Sequence, residues 1–210
     1  GIKVVHTLDE VTYKPECLYI YSSAIPIESD RFEDFHDKEN VLSRPEYLKN
    51  LSENHKIIGI TGTHGKTSTT ALLSHIFHFN NVNVSYLYGG ITTFNGIGGH
   101  YGDPDQPLIL ETDEAFNTFE KIKISDLLVL NVDSDHLDYF KNLDNYKDAF
   151  YKVMKNVTDN LVINNDDLNI KSMKDLKNPV SYGKDTSADF KVQSPGNFKF
   201  ENNKYEIKSV

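Results

Sequence analysis

The chain has 210 residues, which is enough for one or two domains with a buried core. Hydrophobic residues make up 38% and charged residues 25%, with 12 Tyr and 12 Phe, and this composition excludes an intrinsically disordered segment. The formal net charge of −9 argues against broad binding of nucleic acid or of an anionic membrane, so any recognition of phosphate must be local.

The single cysteine, Cys17, excludes an intrachain disulfide and a metal site built from several thiolates. No apolar run reaches the roughly 18 residues that a membrane-spanning helix needs, and the N-terminus lacks the pattern of a signal peptide. We therefore expect a cytoplasmic protein. The chain begins at Gly1 rather than at Met and enters a strand-like run at once, from which we expect it to be a fragment of a longer polypeptide.

Short strand-like runs alternate with helical patterns along the chain, which is typical of a mostly parallel sheet flanked by helices. The predicted strands cover residues 2–5, 18–21, 56–61, 83–88, 108–110, 127–132, 161–164 and 180–182. Their apolar runs indicate burial on both faces of the sheet. The sequence therefore predicts an α/β fold.

The helical patterns also indicate how the chain is organised. Pro45 can open a helix with one apolar face, and we place a domain boundary after residue 46 because the next strand begins a new β–α unit. Residues 143–157 carry apolar side chains at helical spacing and predict a helix that packs on the core. After Gly183 the pattern changes to short alternating runs, which predict a small antiparallel ribbon.

The strongest functional signal is a glycine-bearing turn between a strand and a helix. The segment that we call the phosphate loop consists of Gly62, Thr63, His64, Gly65, Lys66, Thr67 and Ser68. Glycines let successive backbone N–H groups face phosphate oxygens, and the helix N-terminus adds the positive end of its dipole. We predict that this loop binds a nucleoside triphosphate, with Lys66 reaching the β- and γ-phosphates and Thr67 binding Mg²⁺.

The form of this loop resembles the Mur ligase family, the ATP-dependent amide-forming enzymes of peptidoglycan precursor synthesis. Further motifs that resemble the family stand in the expected order, so the resemblance covers essentially the whole chain. They are Ser22-Ser23-Ala24-Ile25-Pro26, residues 41–48, Gly89-Gly90, Glu111-Thr112-Asp113-Glu114 and residues 131–139. The histidine at position 64 resembles the branch that joins L-alanine to UDP-N-acetylmuramate, or its relative that reattaches recycled murein peptides.

The resemblance implies a domain order and a set of ligands. Residues 1–46 would be part of an N-terminal Rossmann-like domain for the UDP-sugar, and residues 47–210 would be most of the central ATPase, a P-loop mononucleotide-binding sheet; the C-terminal domain would be missing. The implied substrates are UDP-N-acetylmuramate and an amino acid or a short peptide, and the implied cofactors are ATP and Mg²⁺. The implied reaction forms ADP and passes through an acyl phosphate.

The resemblance further implies that Lys66, Glu111 and His136 are catalytic. It also implies two metal-binding roles: Glu111 and His136 hold Mg²⁺, and Thr67 holds the ion associated with the nucleotide. Glu111 ends one predicted strand and His136 follows another, so both side chains are expected at the C-terminal edge of the sheet, beside the phosphate loop. Oxygen ligands suit Mg²⁺, and a histidine must be neutral to coordinate. Glu114 is a further carboxylate candidate.

Other functions stay open from the sequence. The peptide-recycling ligase shares the histidine-bearing loop and differs in its amine substrate. A P-loop kinase of small molecules would phosphorylate without ligating, although the motifs at residues 22–26 and 131–139 count against it. The 210 residues by themselves could serve only to bind nucleotide, because the amine would have no site within them. The sequence does not reveal the oligomeric state.

Overall fold

The structure is a computed structural model that describes residues 4, 11–22, 30–91, 96, 98–113, 121–133, 140–194, 197–200 and 203–206. The chain divides into two compact units, Gly1–Leu51 and Ser52–Val210. The strand predicted at residues 2–5 lies outside the described residues except for Val4, which belongs to no helix or strand.

The first unit contains a parallel pair of strands, β1 (Tyr19–Tyr21) and β2 (Val41–Ser43), with a 3₁₀ helix at Asp30–Phe35 between them in the chain. Helix α1 (Arg44–Asn54) follows β2 directly. Its start is fixed by Glu46, whose carboxylate accepts the backbone N–H of Ser43 at 2.8 Å while its own N–H donates to the Ser43 hydroxyl at 3.4 Å. This reciprocal capping explains why the helix begins near Pro45, as predicted.

Within the described residues, the second unit forms a ten-stranded sheet. Its strands are β3 (Ile57–Thr61), β4 (Ser85–Leu87), β5 (Gly99–His100), β6 (Leu108–Glu111), β7 (Asp126–Val129), β8 (Asn160–Asn164), β9 (Val180–Gly183), β10 (Phe190–Ser194), β11 (Asn197–Phe200) and β12 (Asn203–Glu206). The spatial order is β12-β11-β10-β9-β8-β7-β3-β6-β4-β5. All pairings from β10 to β4 in this order are parallel, whereas β5, β11 and β12 pair antiparallel with their neighbours.

The helices of the second unit that lie wholly within the described residues are α2 (Lys66–Phe79), α3 (Leu143–Asn156) and α4 (Leu168–Ser172). Helix α3 buries Tyr146, Phe150 and Met154 among others, so the helix predicted from apolar spacing at residues 143–157 is confirmed. Among the described residues there is no helix whose length and apolar character would let it cross a membrane.

The predicted fold class is confirmed. Helices connect successive strands of a mostly parallel sheet, and the sheet continues into the antiparallel ribbon β10-β11-β12. Strands β2 and β5 and helix α4 were not predicted. The strand predicted at 83–88 is shorter in the structure, at Ser85–Leu87, and the one predicted at 127–132 ends at Val129. The chain turns away there because Asn131 and Val132 form hydrogen bonds outside the sheet.

Asp167 links the segment after β7 to helix α4. One carboxylate oxygen accepts the backbone N–H groups of Asn169 at 2.9 Å and Ile170 at 3.0 Å and so caps the helix, while the other accepts the N–H of Val132 at 2.9 Å. The side-chain amide of Asn169 returns to the carbonyl of Val132 at 2.6 Å. The path of the chain after β7 is therefore fixed by hydrogen bonds to the helix start that follows β8.

We expect Asp167→Ala to lower the free energy of unfolding by about 1 to 3 kcal/mol, because the variant loses a helix cap and leaves the Val132 N–H without its acceptor. Denaturant unfolding measures the change. Asp148→Ala, at an exposed position of α3, is the control and should stay within about 0.5 kcal/mol of the wild type. An Asp167→Ala variant as stable as this control would contradict the linking role of the carboxylate.

Candidate functional site

The ends of adjacent parallel strands meet at one edge of the sheet. Strand β3 lies between β6 and β7, and the register places Ile60 beside Glu111 and Thr61 beside Val129. Strand β4 follows on the outer side of β6. Because parallel strands end at the same edge, the turns that follow β3, β4 and β7 lie together there, which is where ligands bind in open α/β sheets.

The turn at residues 62–65 carries the chain from β3 into α2. Gly62 has φ +143° and Gly65 has φ +85°, a region that favours glycine. A Cβ atom on Gly62 would lie 3.0 Å from the backbone nitrogen of Asn131, so the close approach of the two chain segments also requires glycine. Gly65 immediately precedes α2 and carries no capping side chain, and a helix N-terminus of this kind suits a phosphate group.

Asn131 holds this turn from the neighbouring strand end. Its side-chain oxygen accepts the backbone N–H of His64 at 2.7 Å, and its side-chain nitrogen donates to the His64 carbonyl at 3.0 Å. The backbone carbonyl of Asn131 also accepts the N–H of Thr63 at 3.0 Å. The backbone of His64 is therefore fixed on both sides, while its side chain is exposed.

Lys66 lies over the same turn. Its ammonium donates to the carbonyl of Gly62 at 2.7 Å and to the carbonyl of Thr63 at 3.4 Å. The positive charge is thereby placed beside the carbonyls of the turn, at the start of α2. The backbone N–H groups at the helix N-terminus and the ammonium group together form a surface that is complementary to the oxygens of a polyphosphate.

The side chains of Thr67 and Glu111, each of which the sequence predicted to be a metal ligand, are in direct contact. The Thr67 hydroxyl donates to one oxygen of Glu111 at 2.7 Å, and the other oxygen accepts the backbone N–H of Gly89 at 2.7 Å. A Cβ atom on Gly90 would lie 2.8 Å from the methyl group of Thr67, so this turn also needs glycine to approach the phosphate loop. A hydroxyl and a carboxylate in contact are hard oxygen ligands, and they fit Mg²⁺.

His136 and Glu114 lie outside the described residues, so the metal-binding role of His136 and the candidacy of Glu114 stay predictions. Within the part of the chain that the structure describes, no three His, Cys, Asp or Glu side chains group together as a metal site. The oxygen ligands found together are those of Thr67 and Glu111.

The structure also places Ser68 and a histidine of the glycine-rich segment after β4. Ser68 is exposed in the first turn of α2, next to Thr67. His100 bonds through Nε2 to the side-chain oxygen of Asn83 at 2.8 Å and packs against the ring of Tyr86 with centroids 5.4 Å apart. His100 therefore has packing and hydrogen-bonding partners at the β4–β5 edge.

Sequence reasoning missed the residues that hold the phosphate loop from outside. The motif at residues 131–139 predicts no role for Asn131, and the apolar spacing of residues 143–157 predicts only a core position for Tyr146. In the structure the Tyr146 hydroxyl lies 3.0 Å from the side-chain oxygen of Thr63. The available signal was a phenol among otherwise apolar core positions, since a buried hydroxyl needs a partner.

Residues 60–209 match the family described as the Mur ligase middle domain. The chain belongs to the Mur ligase family. The UDP-N-acetylmuramate–L-alanine ligase of Cytophaga hutchinsonii is 30% identical over 202 residues, which are 90% of this chain and 43% of that protein. The ligase of the same name from Clostridium botulinum strain Langeland is 35% identical over 190 residues, which are 87% of this chain and 41% of that protein. The chain spans about two fifths of the length of these Mur ligase relatives.

Solved structures of Mur ligases share the fold. The crystal structure of UDP-N-acetylmuramate–alanine ligase from Thermotoga maritima has a TM-score of 0.73 at 22% identity and covers 93% of this chain and 45% of that chain. The UDP-N-acetylmuramate:L-alanyl-γ-D-glutamyl-meso-diaminopimelate ligase from Neisseria meningitides has a TM-score of 0.69 at 19% identity. The match covers 85% of this chain and 63% of that chain. These likenesses confirm the predicted α/β architecture.

We expect Asn131→Ala to lower the free energy of unfolding by about 1 to 3 kcal/mol, because two hydrogen bonds to the His64 backbone are lost. Amide hydrogen exchange at Thr63 and His64 should become faster. Asn156→Ala is the control, since Asn156 is an exposed asparagine at the end of α3, and it should change stability by no more than about 0.5 kcal/mol. Unchanged exchange at His64 in Asn131→Ala would show that the amide does not hold the turn.

Proposed function

We propose that the chain binds ATP as part of an ADP-forming ligase that joins L-alanine to UDP-N-acetylmuramate. The observation that carries the proposal is the 2.7 Å contact between Thr67 and Glu111, immediately beside the turn that Lys66 covers. A phosphate-binding turn with hard oxygen ligands at its side suits the triphosphate of a nucleotide together with Mg²⁺. Relatives at 30% and 35% identity that carry this ligase name support the choice of substrates.

We assign residues 1–46 to part of the UDP-sugar domain and residues 47–210 to most of the central ATPase domain. The chain covers about two fifths of the length of its relatives. We therefore expect the 210 residues on their own to bind nucleotide without completing the ligation, because the amine site would lie in the C-terminal domain that the resemblance implies.

The proposed reaction has two chemical steps. A carboxylate oxygen of the muramate attacks the γ-phosphorus of ATP, the bond from that phosphorus to the bridging oxygen breaks, and ADP leaves. The amine of L-alanine then attacks the acyl carbon, inorganic phosphate leaves with the bonding electrons, and the amine nitrogen loses a proton. The first step is needed because a carboxylate and an amine do not condense in water, whereas phosphate is a competent leaving group.

The residues of the phosphate loop would act by binding and by charge stabilisation. The backbone N–H groups at the N-terminus of α2 would bind phosphate oxygens, since those of Thr63 and His64 already donate to Asn131. The ammonium of Lys66 would stabilise the charge that builds on the β- and γ-phosphates. Thr67 and Glu111 would hold Mg²⁺, with His136 as a further proposed ligand. When bound, this ion supplies charge neutralisation at the transferred phosphoryl group.

The main alternative is the ligase that attaches a recycled murein peptide to UDP-N-acetylmuramate. The relatives named for L-alanine, at 30% and 35% identity, support the L-alanine reaction over this alternative. Membership of the Mur ligase family counts against a small-molecule kinase, which would release ADP without an amine substrate.

We expect Lys66→Ala to weaken the affinity of this chain for Mg-ATP at least ten-fold, because the charge-assisted contact to the phosphates is removed while the fold is kept. Isothermal titration calorimetry measures the dissociation constant, and the melting temperature reports the fold. Lys152→Ala removes an exposed lysine of α3 and should bind Mg-ATP like the wild type. Equal affinity in the two variants would rule out the proposed phosphate site.

In the complete ligase, we expect ADP release to depend on L-alanine rather than on a tripeptide. The measurement is ADP formation with UDP-N-acetylmuramate and either amine substrate at equal concentration. Lys66→Ala should lower the rate with L-alanine by about 100-fold or more, because a contact that stabilises transition-state charge is lost. Faster turnover with the tripeptide would favour the recycling ligase, and ADP release without any amine would favour a kinase.

A further inference from the structure

Tyr146 is a buried phenol in a position where packing alone would not require a hydroxyl group. Its side chain is fully buried, at 0% exposure. The rings of Phe140 and Phe150 meet it edge-on, each with a centroid separation of 5.0 Å. Phenylalanine would fill the same space, whereas the hydroxyl of tyrosine has to be desolvated on folding, which is costly unless it is hydrogen-bonded.

The hydroxyl of Tyr146 lies against the phosphate loop. It is 3.0 Å from the side-chain oxygen of Thr63, inside the turn between Gly62 and Gly65. The same Thr63 oxygen accepts the backbone N–H of Asp133 at 2.8 Å, and it lies 3.4 Å from the Asp133 carbonyl. One threonine oxygen therefore joins the phosphate loop, the chain that follows β7 and helix α3.

The position of Tyr146 on α3 is itself fixed. Asn142 caps the helix, with its side chain accepting the backbone N–H of Asn145 at 2.9 Å. The side chain of Asn145 donates to the carbonyl of Phe140 at 2.9 Å. These contacts order the chain on both sides of the helix start, so the phenol reaches Thr63 from a rigid support one turn into the helix.

We propose that Tyr146 is a positioning residue: through the Thr63 hydroxyl it holds the phosphate loop in the conformation that accepts the nucleotide phosphates. The inference rests on the proposed binding of ATP. Phosphate binding by a backbone turn depends on N–H groups that already point at the ligand, because ordering them on binding would cost affinity. Tyr146 lies outside the turn. The Thr63 side-chain oxygen that it contacts also accepts the backbone N–H of Asp133, so the contact also orders the backbone at Asp133.

A double-mutant cycle tests the proposal on this chain with Mg-ATP as the probe. We expect Tyr146→Phe to raise the dissociation constant about three- to ten-fold, the effect of one neutral hydrogen bond. Thr63→Val should weaken binding at least as much, and adding Tyr146→Phe to it should cause little further loss, because the two hydroxyls act as one unit. Tyr151→Phe removes a phenol hydroxyl from the same helix outside this contact and should bind like the wild type.

Amide hydrogen exchange without nucleotide separates this role from a general loss of stability. Tyr146→Phe should speed exchange at Thr63 and Asp133 and leave Leu127, in the core of β7, unchanged. Wild-type affinity in Tyr146→Phe, additive losses in the double variant, or unchanged exchange at Thr63 and Asp133 would each overturn the proposal. If the wild type did not bind Mg-ATP but local exchange still rose in Tyr146→Phe, the proposed function would fail while the tether of the loop would stand.

Discussion

The site depends on how the backbone of the turn at residues 62–65 is held. Two glycines adopt positive φ angles there, and such a turn has no repeating ladder of hydrogen bonds to define it. Asn131 supplies the hydrogen bonds that define the turn instead. Its side chain binds the N–H and the carbonyl of His64, and its backbone carbonyl accepts the N–H of Thr63. The turn is thereby stabilised by the segment that follows the neighbouring strand β7 rather than by its own residues.

Because β3 lies between β7 and β6, the phosphate loop has different contacts on its two sides. On the β7 side, Asn131 and Asp133 bond to the turn and fix its shape. On the β6 side, Glu111 reaches the first turn of α2 through Thr67 and holds the Gly89 N–H with its other oxygen. The chain after β7 therefore supplies the hydrogen bonds that fix the turn, and β6 supplies the carboxylate beside it. Parallel pairing makes this possible, since all three strands end at one edge.

The parts of this arrangement that could be predicted from sequence are the local ones. The strand, the glycines and Lys66 follow each other directly in the chain, and Glu111 could be placed because it ends an apolar run. Asn131 and Tyr146 could not be assigned, because their partners lie more than sixty residues away and depend on the strand order β7-β3-β6. The end of β7 was missed for the same reason, since the chain leaves the sheet there to meet the turn and Asp167.

The contact between Thr67 and Glu111 also bears on how an acidic chain would hold a triphosphate. With a net charge of −9, long-range electrostatics oppose the approach of an anion, and salt screens this repulsion beyond a Debye length of about 8 Å. At shorter range, the N-terminus of α2 and Lys66 would attract phosphate, whereas Glu111 would repel it. A divalent cation between the carboxylate and the phosphates would turn this repulsion into attraction on both sides. The placement of Glu111 is therefore understandable for a site that takes the nucleotide together with its metal ion, and it would be unfavourable for one that takes the nucleotide alone.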